Sequence, residues 1–202
     1  MKYDFDVILD RSSERSKTWD PNFVREGQLT MNGAETHFIC PHPVREAIRK
    51  ISNQPVYGYP YFTSDFADAA AGWLYRRHDW KVESEWVEFV AGIVPGIASA
   101  IQAMTDVGDS VLINTPAYDP FRGVIINNDR VLVESKLIIN SENQTVEFDW
   151  NDMEDKFSNE RVKAFILCDP HNPTGKSCTI EELKKIEYLS KKYNVFVIVD
   201  EV

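Results

Sequence analysis

The residues of this chain that could do chemistry lie in short stretches after apolar runs, and one such stretch is CDPHNPTGKS. Its Gly-Lys-Ser ending is also the ending of a nucleotide-binding phosphate loop. A phosphate loop, however, needs glycine where this chain has Pro170, and Pro173 removes a further backbone donor. Thr179 and Glu182 have the spacing of a capping box, which starts the helix after Gly-Lys-Ser rather than at it. We therefore predict a rigid turn that presents Asn172, and an NTPase is disfavoured.

Three other stretches supply groups of different chemistry. Asp200 follows a run of apolar residues, and a carboxylate at a dry strand end needs a cationic or hydrogen-bonding partner such as a pyridinium nitrogen. Tyr118, in TPAYDPF, offers an aromatic face to a flat ring. AGIVPG is a glycine loop that opens a helix at Pro95, where free N–H groups suit a single phosphate. With Asn172 as a donor, these groups fit a planar pyridine ring that carries a phosphate.

The elements predicted to position these groups alternate between strands and helices. The predicted strands are 85–90, 110–114, 130–137, 161–168 and 195–201, and the predicted helices are 43–52, 63–78, 95–104, 119–128, 149–157 and 180–193. This alternation predicts an α/β fold, a three-layer α/β/α arrangement with a mainly parallel sheet and sites at the carboxyl ends of the strands.

Composition narrows the class of protein. The 202 residues are 43% hydrophobic and 12% aromatic, which suits a packed globular core. A net charge of −10 without a basic run argues against nucleic acid or an anionic membrane as a partner. Cys40, Cys168 and Cys178 form no CxxC pair, and the histidines lack ligand spacing, so we expect a reduced cytoplasmic setting and no metal site. No stretch has the pattern of a targeting or membrane segment.

NPTGK, VDE and TPAYDPF, in this combination, resemble a pyridoxal-phosphate (PLP) enzyme of the aspartate-aminotransferase fold, class I/II. DRSSERSKTWD near the N-terminus, YGY at 57–59 and NTPAYDPF are more closely similar to the MalY/PatB group of cystathionine β-lyases and aminotransferase-like enzymes. The resemblance covers nearly the whole chain. It implies that residues 43–202 are the first, incomplete part of the PLP-binding large domain of fold type I. Residues 1–42 would be an N-terminal arm that belongs partly to the small domain.

The resemblance also implies roles for individual residues. Asp200 matches the acid that keeps the ring nitrogen protonated, Asn172 matches the donor to the ring hydroxyl, and Tyr118 matches the stacking aromatic. The other matched positions contact phosphate or substrate: a backbone phosphate cup at Gly92, Ile93 and Val94; Tyr59, which reaches the phosphate of the neighbouring subunit; and Gly33 and Ala34 beside the substrate carboxylate. The chain departs from the family where AETHF stands in place of Ala-Asp-Met-Asp-Phe, so that Glu35 and His37 replace two aspartates.

One family feature has no match in this sequence. The family forms a Schiff base through a lysine in a Ser-x-Ser-Lys-like stretch, and none of the twelve lysines lies in such a context. The resemblance therefore places this lysine, and the arginine that binds the substrate carboxylate, beyond Val202. We expect the first half of a homodimeric carbon–sulfur β-lyase acting on cystathionine-like amino acids. An aminotransferase is the alternative, and a non-catalytic fragment is the second alternative.

Overall fold

The structure, a computed structural model, describes residues 3–11, 13–25, 27–31, 33–61 and 63–202. The chain divides into two compact units, Met1–Phe62 and Thr63–Val202. The predicted boundary between an arm at 1–42 and a cofactor-binding domain at 43–202 stays a prediction. Along the described residues, no helix combines the length and the apolar character needed to cross a membrane.

The first unit contains little regular structure in its described part. A 3-10 turn spans Lys17–Trp19 and is capped by the Ser16 side chain. Helix α1 spans His42–Ser52 and matches the predicted helix at 43–52. Pro43 lies in its first turn, where a missing N–H leaves no helical hydrogen bond unmade.

The second unit is described without gaps and carries the remaining helices and all the strands found in the described residues. A short 3-10 turn spans Ser84–Trp86. The helices are α2 Ser64–His78, α3 Ile93–Met104, α4 Pro120–Ile126, α5 Trp150–Ser158 and α6 Ile180–Tyr193. The strands are β1 Ser110–Thr115, β2 Val131–Asn140, β3 Thr145–Phe148, β4 Val162–Cys168 and β5 Phe196–Asp200.

The strands form one five-stranded sheet in the order β3-β2-β1-β4-β5. The pairs β1–β2, β1–β4 and β4–β5 are parallel, and only β3 runs antiparallel, beside β2. Successive side chains of a strand point to opposite faces, and β1 shows this because Val111 and Ile113 enter one core and Leu112 enters the other. Helices α3 and α4 pack in the first core, and α5 and α6 in the second. The predicted three-layer α/β arrangement is therefore confirmed.

Three details of the predicted pattern differ from the structure. The segment 85–90 is not a strand: the 3-10 turn Ser84–Trp86 covers its start, and Phe89 makes an edge-to-face contact with Phe66 of α2, with ring centroids 5.4 Å apart. Strand β3 was not predicted, although Asn140 closes the turn before it by accepting hydrogen bonds from the backbone N–H of Glu142 and Asn143. In addition, α3 begins at Ile93, two residues before the predicted start.

Candidate active site

The carboxyl ends of β4 and β5 meet at one edge of the sheet. Their parallel register pairs Cys168 with Asp200, the last residues of the two strands. Cys168 and Ile198 belong to the core that α3 and α4 cover. Because Asp200 lies two residues after Ile198, its side chain points to this same face. Helix α3 leads through a short loop to the start of β1, so its N-terminus faces the carboxyl edge as well.

Asp200 is a buried acid that has no basic partner among the residues that the structure describes. Only 6% of its surface is exposed. Its Oδ1 accepts a hydrogen bond from the backbone N–H of Val202 at 3.2 Å, and its backbone carbonyl accepts one from Asp169 N–H at 2.9 Å. Within the described residues no lysine, arginine or histidine forms an ion pair with it. A buried carboxylate is costly unless a cation or a strong donor meets it, so this edge fits a ligand with a protonated ring nitrogen.

The turn after β4 presents Asn172 at the same edge. The backbone N–H of Asn172 donates to the Cys168 Sγ at 3.3 Å, while the residue itself is exposed. Next to it, buried His171 donates its N–H to the Lys176 carbonyl at 2.7 Å and accepts at its own carbonyl from Gly175 N–H, also at 2.7 Å. These bonds close the turn, and Asn172 remains exposed to solvent within it.

The structure also excludes the phosphate-loop interpretation. Lys176, the lysine of Gly-Lys-Ser, pairs with Glu182 at 2.7 Å, and its side chain is only 11% exposed. The capping box is confirmed: Thr179 Oγ1 accepts from Glu182 N–H, and a Glu182 carboxylate oxygen accepts from Thr179 N–H. Helix α6 therefore begins at Ile180, after this stretch, and its lysine is not available to a nucleotide.

Tyr118 follows the end of β1 and is fixed by its neighbour Phe121. The Tyr118 carbonyl accepts from Phe121 N–H at 3.0 Å, and the two rings meet edge to face with centroids 5.5 Å apart. Phe121 is buried in the core beneath α3 and α4, whereas Tyr118 is 38% exposed. The ring is thus held in place and keeps surface free for a flat ligand.

Gly92 caps the N-terminus of α3. Its φ of 118° is a conformation that favours glycine, and its N–H donates to the Val90 carbonyl at 2.9 Å. The N–H groups of Ile93 and Val94 belong to the first turn of the helix, where no carbonyl within the helix can accept them. This end of α3 can therefore offer two N–H groups and the positive end of the helix dipole to an anion.

Three predicted site residues lie in the first unit. Gly33 has a φ of +68°, and a Cβ there would lie 3.2 Å from Thr18 Oγ1. Ala34 is exposed, and Tyr59 is fully exposed. Glu35, beside Ala34, accepts hydrogen bonds from Ser16 Oγ and Arg11 Nη2. Hydrogen bonds from the Ser16 hydroxyl, which has the larger effect, and from Arg11 lower the pKa of the Glu35 carboxyl. Glu35 is therefore a carboxylate held in place by hydrogen bonds.

Burial controls the titratable groups around the turn. Burial raises the pKa of the Cys168 thiol and raises that of Cys178 to about 12, so both thiols stay protonated. Burial also lowers the pKa of the His171 imidazole, which accordingly stays neutral at physiological pH. His171 Nδ1 lies 2.8 Å from Thr174 Oγ1. Sequence reasoning considered Cys168 as one of three cysteines without a CxxC pair and so missed its bond to Asn172, for which the residue type alone gives no signal.

The carboxyl edge of this mainly parallel sheet carries a buried acid. An exposed amide, an aromatic ring and a helix N-terminus follow strand ends or precede α3 at the same edge, a set of groups whose chemistry is compatible with a flat, phosphorylated ring. The chain belongs to the aminotransferase class I and II family, whose model matches residues 27–202.

Individual relatives agree with this assignment. The chain is 33% identical over 201 residues to cystathionine beta-lyase PatB of Bacillus subtilis, covering 98% of this chain and 51% of that protein. The structure of a PLP-bound putative aminotransferase from Clostridium difficile matches with a TM-score of 0.89 at 36% identity, over 100% of this chain and 52% of that one. The PLP-bound C-S lyase from Staphylococcus hominis matches with a TM-score of 0.87 at 31% identity, over the same shares. The chain thus spans about half the length of these relatives.

Proposed function

We propose that the protein carrying this sequence is a PLP-dependent carbon–sulfur β-lyase that acts on cystathionine-like amino acids. The observation that carries the proposal is the buried Asp200 carboxylate, which has no cationic partner in the described part of the chain. It lies at the carboxyl edge of the sheet, where Asn172 follows β4 and Tyr118 follows β1. The similarity to PatB and to a C-S lyase supports the reaction type.

The chain's own residues would divide the work of holding this cofactor. Asp200 keeps a proton on the ring nitrogen, because its carboxylate is desolvated and gains most from a cationic donor. The Asn172 amide donates to the ring hydroxyl, and Tyr118 stacks on the ring face. The N–H groups of Ile93 and Val94 bind the phosphate, while Gly92 supplies the turn that exposes them. PLP, when bound, supplies the electron sink for electrons released at the substrate α-carbon.

The residues of the first unit would serve the substrate and a neighbouring subunit. Gly33 and Ala34 would serve the substrate carboxylate, as the resemblance to the family implies. Tyr59 reaches the phosphate of the neighbouring subunit, and its complete exposure in this chain supports that role. We accordingly propose a homodimer. The free thiols of Cys40, Cys168 and Cys178 support a cytoplasmic location, and the net charge of −10 favours a small substrate over nucleic acid or a membrane.

The test is product analysis with the full-length protein and added PLP. A β-lyase converts cystathionine and water into homocysteine, pyruvate and ammonia, so thiol and pyruvate appear in equal amounts. An aminotransferase, favoured by the 36% identity to a putative aminotransferase, passes the amino group to a keto acid and releases no thiol. Keto-acid-dependent turnover without thiol would replace the lyase with the aminotransferase. A full-length protein that stays colourless with PLP would refute both.

A further inference from the structure

A hydrogen bond to the Cys168 thiol joins the turn that carries Asn172 to the sheet. Within the turn, bonds among His171, Thr174 and Lys176 hold its residues to one another. None of these bonds joins Asn172 to β4. In the described part of the chain, Asn172 is joined to β4 by the 3.3 Å hydrogen bond from its N–H to Cys168 Sγ, while the start of the turn is joined to β5 by the bond from Asp169 N–H to the Asp200 carbonyl. Cys168 therefore makes a polar contact with the turn in addition to packing in the core.

The same cysteine is the register partner of the proposed ring-nitrogen acid. Cys168 and Asp200 are paired across β4 and β5, and both side chains project toward the face that α3 covers. Asp200 and Asn172 would contact two atoms of one rigid ring, its nitrogen and its hydroxyl. A rigid ring requires the two protein groups to keep a fixed separation, and Cys168 is bonded to one and adjacent to the other.

We propose that the Cys168 thiol is a positioning residue, which holds Asn172 at the separation from Asp200 that the cofactor ring requires. The inference rests on the proposed function. The thiol can accept and donate at once: its sulfur accepts from Asn172 N–H, and its S–H donates to the Pro170 carbonyl oxygen, which lies 3.5 Å from the sulfur. Burial raises its pKa, so the proton needed for this second bond stays on the sulfur.

The chain supplies a matched control. Cys178 is also a partly buried free cysteine near this turn, but it contacts Asp169 rather than Asn172: its backbone N–H donates to Asp169 Oδ1 at 3.0 Å, and its side chain also interacts with that carboxylate. Cys178→Ala leaves the backbone bond in place and removes a thiol that has no bond to Asn172. Cys168→Ala removes the acceptor of Asn172 N–H, and Cys168→Ser keeps both an acceptor and a donor at the position.

The first measurement is amide hydrogen exchange of the peptide that covers residues 169–175, in the full-length protein without cofactor. Cys168→Ala should accelerate exchange in this peptide by about three- to tenfold, the effect of losing one hydrogen bond, whereas Cys168→Ser and Cys178→Ala should leave it close to wild type. Equal exchange in Cys168→Ala and Cys178→Ala would overturn the inference.

The second measurement is a double-mutant cycle on PLP affinity and on the pH midpoint of the bound cofactor's visible band. Cys168→Ala alone should raise the Kd for PLP about three- to tenfold and move the midpoint in the direction that Asn172→Ala moves it. In the Asn172→Ala background, Cys168→Ala should add nothing, because the group that it positions is gone. Purely additive effects would show a general loss of stability and would overturn positioning. A wild-type protein that binds no PLP would refute the proposed function, and the inference with it, whatever the exchange shows.

Discussion

Replacing Asp200 with asparagine tests the role of this carboxylate in two states of the protein, with the cofactor bound and without it. The amide has nearly the same shape and can still accept from Val202 N–H, so only the charge is lost. Since Asp200 is 6% exposed, little water is present to compensate for that charge. Losing a charge-assisted bond in such a place costs about 2–4 kcal/mol, which corresponds to a ~30- to ~1,000-fold loss of turnover. Asp200→Ala should lie at the upper end of this range.

The same substitution should have no destabilising effect on the cofactor-free protein. Asp200 has no basic partner in the described part of the chain, and an amide is cheaper to bury than a carboxylate. The unfolding free energy of the apo protein should therefore stay equal or rise by about 1 kcal/mol, while the stabilisation by added PLP should shrink. Opposite effects of the substitution on the stability of the apo protein and of the PLP-loaded protein would indicate a charge that serves a ligand.

Asp169→Asn is the control for this experiment. Asp169 lies at the same edge, one residue beyond β4, and its Oδ1 accepts from Cys178 N–H, which an asparagine oxygen can also do. Turnover of the full-length enzyme and the melting temperature of apo and PLP-loaded forms should be measured for both variants. Near-normal turnover of Asp200→Asn, or a greater loss in Asp169→Asn, would refute the assignment of Asp200 as the ring-nitrogen partner.

Three further outcomes are expected. Tyr118→Ala should raise the Kd for PLP about two- to tenfold by cofactor titration, and Tyr118→Phe, which keeps the ring, should not; equal losses would argue against stacking. Thr179→Ala should lower the unfolding free energy by about 1 kcal/mol in urea melts and Thr179→Ser by much less, because the capping box with Glu182 is lost only in the first; equal stability of the two would contradict this. Burial lowers the pKa of His171 in the folded protein below its ordinary value of 6.5. The contribution of neutral His171 to the free energy of unfolding is therefore complete above pH 6.5 and is lost as the pH falls through the folded pKa. His171→Asn should flatten this part of the stability profile, and an unchanged slope would show that another group causes it.

Local signals predicted the elements whose residues decide their own structure. Helix α6 begins where the Thr179 capping box places it, and its residues 180–193 match the predicted range. The error at 85–90 arose because alternating residues such as Glu88 and Phe89 fit a strand, yet a strand exists only where a neighbour can pair with it. Strand β3 was missed for the converse reason: four residues carry little signal, and β2 supplies the pairing.

The candidate site also contains features that the sequence could predict and features that it could not. A position directly after a strand is readable from sequence, which is why Asp200 and Asn172 could be placed at one edge before the register was known. The bond between Asn172 and Cys168 depends on a turn that returns the backbone to a residue four positions earlier, and on a register that sets Cys168 opposite Asp200. Neither is encoded by the type of one residue, because a small apolar side chain would satisfy the same core. A charged or aromatic residue near a strand end can therefore be proposed as a ligand contact from the sequence. A residue proposed to position it can be recognised only once strand pairing and turn geometry are known.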